Sequence, residues 1–286
     1  MVYLGPPKMS RETIEKGVTG VVRTYELLDR VRTRRDLDIR DDQFGFEALL
    51  EASRYARRRG IRLSLVDTGR FGLTEIEALA RAGARVLTSD EARPAADEWE
   101  VLTEACRAGG SHLSAFWHGP LPAGEGAGWM SSRTLLDLLG RGMDLHLTNR
   151  VHRRDAAALA ELAAAARKGR GYLVAYHIGP LDADLAGPAA RRAWVHFSDR
   201  EAGAGDWAEA AAAIARAAAG AGSRAAVHVE RGLALETLEE LWAAGAALLF
   251  LTPPSDDSSL LRPVERRAAR RKLPPRAFHL STAFLP

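Results

Sequence analysis

RLSLVDTGRFGLTEIEALARAGARVLTSD, residues 62–90, is the stretch that decides the fold. RLSLV is a short apolar run closed by Asp67, Thr68 and Gly69, the pattern of a buried strand entering a turn. In LTEIEALARAGA, Leu73, Ile76, Leu79 and Ala80 fall at helical spacing, and Gly83 marks the end. RVLTSD is a second short strand. Strand, helix and strand in one continuous stretch predict a parallel βαβ unit with a right-handed crossover.

The same alternation runs on toward the C-terminus. Strands are read at HLSAFWHG, DLHLTNR, YLVAYHIG, WVHFSDR, AAVHVERG and ALLFLTPP, and the segments between them are helical or long enough for a crossover. With RLSLV and RVLTSD that makes eight strands, which fits an α/β fold of (β/α)8 TIM-barrel type over residues 61–261. A doubly wound open sheet is the competing fold. It would usually carry a glycine-rich phosphate loop after its first strand, and VDTGRFG is not G-x-G-x-x-G. Alternate strands resemble one another. VLTSD, HLTNR and HFSDR each place Thr or Ser before a polar end, and HLSAFWHGPL (112–121) is nearly repeated as YLVAYHIGPL (172–181). The repeat unit therefore reads as βαβα, and the two Gly-Pro-Leu phrases are first a fold signature.

Residues 1–60 read as an N-terminal helical extension, with LDIRDDQ (37–43) open to reading as an extra strand. Residues 262–286 read as a basic segment whose Phe278, Leu280, Phe284 and Leu285 pack on the barrel or on a partner, because a disordered tail rarely carries so many apolar anchors. The formal net charge of +3 hides an asymmetry. Residues 1–62 hold 14 Lys/Arg against 10 Asp/Glu, and 262–286 hold seven against one, so the centre is acidic. The arginines of 262–276 are either a solvated face or a contact for an anionic protein or nucleic acid. No apolar run is long enough to span a membrane, and a secretory signal pattern is missing from the start, so a cytoplasmic location is expected. Cys106 is the single cysteine, which excludes a disulfide framework and a cysteine-bound zinc or iron–sulfur site. The composition also admits a homo-oligomer.

Residues 44–90, which include FEALLEASRYARRRGIRLSLVDTGRFGLTEIEALARAGARVLTSD, resemble the middle of a radical SAM core. Thr68-Gly69 stands where that family often has Asn-Gly, and Ser89-Asp90 stands at its later strand end. The three-cysteine cluster motif of the family is absent, so the resemblance implies a barrel without that catalysis.

In a (β/α)8 barrel, chemistry sits at the carboxyl ends of the strands. Those ends supply Asp67, Asp90, His118, Asn149, Arg150, His177, Asp199, Arg200, Glu230 and Arg231. Glu230, His177 and His118 are the expected acid–base groups. Arg200, Arg231, Arg150, Asp67 and Asn149 are the expected substrate contacts, the arginines gripping a carboxylate or phosphate. Strand alternation points His146, Thr148, His196, Ser198, His228 and Glu230 inward, and Leu147, Phe197 and Val229 toward the helices. His146, His196 and His228 are candidate ligands for a divalent metal. The plainer reading makes the aspartates helix caps, the histidines satisfied core groups and the arginines loop charges. Glu230 resists that reading, because a carboxylate aimed into a barrel needs a partner.

Other chemistries are disfavoured. The early strands carry no His-x-His, and Lys8, Lys16, Lys168 and Lys272 all lie off the strands, which argues against a Schiff base. There is no G-x-S-x-G or P-loop. Two functions stay open. One is a barrel enzyme doing acid–base or metal-assisted chemistry on a small anionic substrate. The other is a degenerate radical SAM-like barrel that binds a partner through its basic ends.

Overall fold

The computed structural model of the chain describes residues 36–121, 130–201, 206–230, 232–250, 260–272 and 277–279, together with the helical residues Leu27 and Val31. Among the described residues ten parallel strands form one sheet in strict sequence order. They are β1 (Asp36–Arg40), β2 (Arg62–Val66), β3 (Arg85–Ser89), β4 (Leu113–Trp117), β5 (Asp144–Thr148), β6 (Leu173–His177), β7 (Trp194–Ser198), β8 (Ala225–Val229), β9 (Ala247–Phe250) and β10 (Ala277–His279). Between them run α1 (Phe46–Arg59), α2 (Leu73–Arg81), α3 (Ala96–Gly109), α4 (Ser132–Gly140), α5 (Ala156–Gly169), α6 (Ala186–Ala190), α7 (Trp207–Gly220), α8 (Leu235–Ala244) and α9 (Leu261–Arg270). Every strand is parallel to its neighbours and the order never reverses, so this is the barrel-type α/β arrangement and not a doubly wound sheet.

The strand count and the closure differ from expectation. An eight-stranded barrel over 61–261 would close β9 onto β2. β9 pairs instead with β8 on one side and with β10 on the other. LDIRDDQ does supply a strand, because β1 pairs in register with β2 along its whole length. Residues 36–59 thus belong to the sheet and its helical layer and do not form a separate cap. Among the described residues no bridge joins β1 to β10. At the other end, α9 buries Leu261, Val264 and Ala268, and its Arg267 and Arg271 reach Glu236 and Glu239 of α8. Residues 273–276 and 280–286, with the anchors Leu280, Phe284 and Leu285, lie outside the described residues.

Two-residue alternation builds both layers. Leu145 and Leu147 of β5, Val195 and Phe197 of β7, and Val227 and Val229 of β8 all join the core under the helices. Trp99 of α3 meets Trp117 of β4 edge-on at 6.1 Å, and Trp207 of α7 meets Phe197 at 6.0 Å. Each such side chain contributes about 1.5–3 kcal/mol by burial. Helix ends approach closely at two equivalent places. A Cβ added at Gly109 would lie 2.0 Å from the Ala80 carbonyl oxygen, and one at Gly169 would lie 1.9 Å from that of Leu139.

The inner face is polar and aromatic. Phe116, His146, Tyr176, His196 and His228 form a row across β4 to β8. Their rings are 4.5 Å apart for Phe116–His146, 6.1 Å for His146–Tyr176, 5.0 Å for Tyr176–His196 and 5.4 Å for His196–His228. Below this row, toward the strand N-termini, Arg85 donates to Ser114 Oγ at 2.7 Å and to Asp144 Oδ2 at 3.0 Å.

Candidate functional site at the strand carboxyl ends

The polar residues at the strand ends divide by parity. Asp41, Asp67, Asp90, Asn149 and Asp199 follow their strands in the outward register, and most of their bonding goes to adjacent loops. Asp41 accepts from the Thr68 hydroxyl at 2.6 Å. Asp90 accepts from the backbone N–H groups of His118 (2.8 Å) and Gly119 (3.0 Å). Asn149 Oδ1 accepts from Ile178 N at 2.7 Å while its amide donates to Ile178 O at 2.8 Å. Asp199 accepts from Glu230 N (2.8 Å) and Gly232 N (3.0 Å). The residue after β1, β3, β5 and β7 thus clips the loop after β2, β4, β6 and β8. This is the βαβα repeat expressed as hydrogen bonds, and it counts from β1.

Asp67 is a lock, not a substrate contact. It is buried, accepts two bonds from Arg93 at 2.8 and 3.0 Å, and also takes the Thr88 hydroxyl (2.8 Å) and Gly69 N (3.0 Å). Arg93 is buried too and donates to Phe71 O at 2.6 Å. Asn149 is likewise spent on the backbone. His177 has both ring nitrogens engaged. A carbonyl can only accept, so Nε2 donates to Pro180 O (2.8 Å), and Nδ1 then accepts from Asn149 Nδ2 (3.2 Å). His177 matches Trp117, whose indole N–H reaches Pro120 O at 3.3 Å. The duplicated Gly-Pro-Leu phrases are therefore paired turns, each tied by a ring N–H from the last strand residue.

Glu230 and His118 occupy the inward register. Glu230 accepts from Ser198 Oγ at 3.0 Å and from Arg200 at 3.0 and 2.6 Å. Its side chain is 7% exposed, so the partner that burial demands is Arg200. Arg200 is accordingly committed to Glu230 and is not an open anion grip. Arg231 lies outside the described residues.

His118 differs from the imidazoles of the row. Its Nδ1 lies 2.6 Å from Asp90 Oδ1, so that nitrogen carries the proton, and nothing among the described residues bonds Nε2. The ring is 39% exposed over a nearly buried carboxylate. The Asp90 hydrogen bond raises the His118 pKa above its ordinary value, against the opposing effect of burial. Arg154 pins the adjoining turn, donating to Thr148 O at 2.7 Å and to Gly119 O. Burial pulls its pKa down to about 10. Arg154 comes from NRVHRRD (149–155), a charge run after a strand, of which only Asn149 and Arg150 stood out in the sequence. Arg150 is exposed in the inward register, its N–H fixed by Thr148 Oγ1 at 3.1 Å, and Arg153 is exposed beside it.

The metal candidates do not converge. Tyr176 stands between His146 and the other two, with His146 Nδ1 3.3 Å from its hydroxyl, while His196 Nδ1 faces His228 Nε2 at 3.1 Å. Burial drives the pKa values of His146 and His196 down to about 3. Among the described residues no three His, Cys, Asp or Glu side chains are grouped to hold a metal ion. Cys106 is buried, with its thiol pushed up to about 11.

Fold and strand ends together define a parallel α/β protein of barrel type, with the Asp90–His118 pair open at the carboxyl ends among the described residues. No family model matches the chain, and no curated protein matches it. Among solved structures it is similar to a tetrameric deoxyribose phosphate aldolase from Aeropyrum pernix (14% identity, 85% of this chain and 94% of that one, TM-score 0.30). It is also similar to a methylaspartate ammonia lyase from Clostridium tetanomorphum (15% identity, 88% and 58%, TM-score 0.32) and to an old yellow enzyme homologue from Zymomonas mobilis (11% identity, 80% and 78%, TM-score 0.30). The chain thus spans little more than half the length of the ammonia lyase. No helix among the described residues is long and apolar enough to cross a membrane.

Proposed function

We propose that this protein is a barrel enzyme in which His118, oriented by Asp90, moves a proton to or from a small anionic substrate at the strand carboxyl ends. The observation that carries this reading is the Asp90–His118 pair with Nε2 open at an exposed ring. A carboxylate on Nδ1 fixes the tautomer and supports the imidazolium that forms when Nε2 takes a proton. Glu230, a carboxylate in the inward register, is the candidate partner in proton transfer, with Arg200 as its counterion. Arg150 and Arg153, exposed beside the Arg154 turn, are the groups suited to a carboxylate or phosphate. His177 drops out of the acid–base set because both its nitrogens are used.

Proton transfer at carbon leaves a label, so the reaction need not be known in advance. Incubation in D2O with a panel of small carboxylates and sugar phosphates, read by proton NMR, should show one C–H exchanging in the presence of the protein. His118→Gln should lower that exchange by about 10²-fold or more. Equal exchange by the variant, or none across the panel, would remove the proposal. The competing reading is a binding protein of radical SAM-like descent. It draws support from how much strand-end polarity is spent on loop clips, and the second outcome would favour it.

A further inference from the structure

On the opposite end of the sheet from His118, α1 and α2 leave an open trench of about 490 Å³. Leu50, Ala78 and Ala82 form its floor, and Arg54, Arg57, Arg58 and Arg81 form its rim. On α1, Leu50, Arg54, Arg57 and Arg58 follow helical i, i+4, i+7 and i+8 spacing, so one face is presented along the trench. Arg57 is fixed: its stem packs against Gly83, where an added Cβ would lie 2.9 Å from Arg57 Cβ, and its Nη1 donates to Arg81 O at 3.0 Å. Arg81 pairs with Glu77 at 2.9 Å. Arg54 and Arg58 are exposed, and among the described residues no carboxylate lines the trench.

Basic residues near helix C-termini are favoured by the helix dipole, but that effect is worth only about 0.3–1 kcal/mol each and does not require a cleft with an apolar floor. Guanidinium groups match carboxylates in planar, two-point geometry. The floor asks for small apolar side chains as well. We propose that this trench docks an acidic amphipathic helix of a partner protein, its apolar face on Leu50, Ala78 and Ala82 and its carboxylates on the arginines. A nucleic acid fits less well. Among the described residues no aromatic side chain lines the trench, so the bases of a single strand would find no stacking face there. The inference stands apart from the proton-transfer site and does not depend on it.

The test is fluorescence anisotropy on the full chain with three labelled probes. These are an amphipathic helical peptide with leucines on one face and glutamates beside them, a scrambled peptide of the same composition, and an oligo-dT strand. The helical peptide should bind at least ten-fold more tightly than the other two. Arg54→Glu with Arg58→Glu should weaken it at least ten-fold, and the milder pair Arg54→Gln with Arg58→Gln should weaken it less, both with unchanged melting temperature. Raised salt should weaken it further. Equal binding of the scrambled peptide, tighter binding of oligo-dT, no binding up to about millimolar, or indifference to both double variants would overturn the proposal. A concentration-dependent dimer abolished by the same substitutions would assign the trench to a second copy and overturn it too.

Discussion

Acidification should destabilise this protein through two histidines that the folded chain keeps neutral. His146 is stacked on Phe116 and His196 leans on Tyr176, and burial lowers both pKa values from 6.5 to about 3. In the unfolded chain each titrates near 6.5. The sign follows from proton counting. Between those values the unfolded state binds a proton that the folded state refuses, so stability is whole above pH 6.5 and is lost as pH falls toward 3. At pH 5 the separation from 6.5 is about one and a half units. At about 1.4 kcal/mol per unit, that removes about 2 kcal/mol for each imidazole and about 4 kcal/mol for both. Domains of ordinary stability have only about 5–15 kcal/mol in total. Urea unfolding at pH 7.5 and pH 5.0 measures the loss. Asp41 and Asp144, raised by burial, contribute in the opposite sense, so the diagnostic quantity is a difference between proteins. His146→Phe combined with His196→Phe should make the loss about 4 kcal/mol smaller than in the wild type. An unchanged pH slope in that double variant would refute the reasoning.

Two further outcomes follow from buried contacts. Arg93→Met strands the Asp67 carboxylate with only Thr88 and Gly69 as partners, and should cost about 3–5 kcal/mol in urea unfolding. Adding Asp67→Asn should recover part of that loss, since the uncompensated charge is gone. Gly109→Ala drives a methyl against the Ala80 carbonyl and should cost about 1–3 kcal/mol, read as a lowered melting temperature, whereas Gly110→Ala next door meets no atom within 4 Å and carries only its own strain at φ 76°.

The sequence made the parallel alternation legible because each element is short and punctuated. Leu63 and Leu65 of β2 are buried where the apolar run placed them. The histidine row was legible too, since period-two alternation alone turns His146, His196 and His228 inward. The edges were not. β1 reads DLDIR, in which charged residues flank the core residues Leu37 and Ile39, so LDIRDDQ is open to reading as a strand or as part of a helical extension. β10 has three residues and is recognisable only through its partner β9. The chain also writes its repeat in places that composition hides: Gly109 and Gly169, and Trp117 and His177, stand at equivalent positions sixty residues apart. The Gly-Pro-Leu phrases show that spacing openly, whereas single glycines among 26 do not. At the site, residue type misled. His177 and Asn149 have catalytic chemistry, yet their register turns them to the loops. Only geometry separates an aspartate that clips backbone from one that, like Asp90, also holds an imidazole.

In the proposed function, Asp90 holds His118 ready to exchange a proton at Nε2. NMR titration of the His118 ring tests this most directly, in the wild type and in Asp90→Asn. The wild-type pKa should lie above 6.5, with the Nε2 proton titrating and the Nδ1 proton retained, and should fall clearly in the variant because the carboxylate bond is the main cause of the rise. A His118 that titrates at the same pH with and without the Asp90 carboxylate would contradict it.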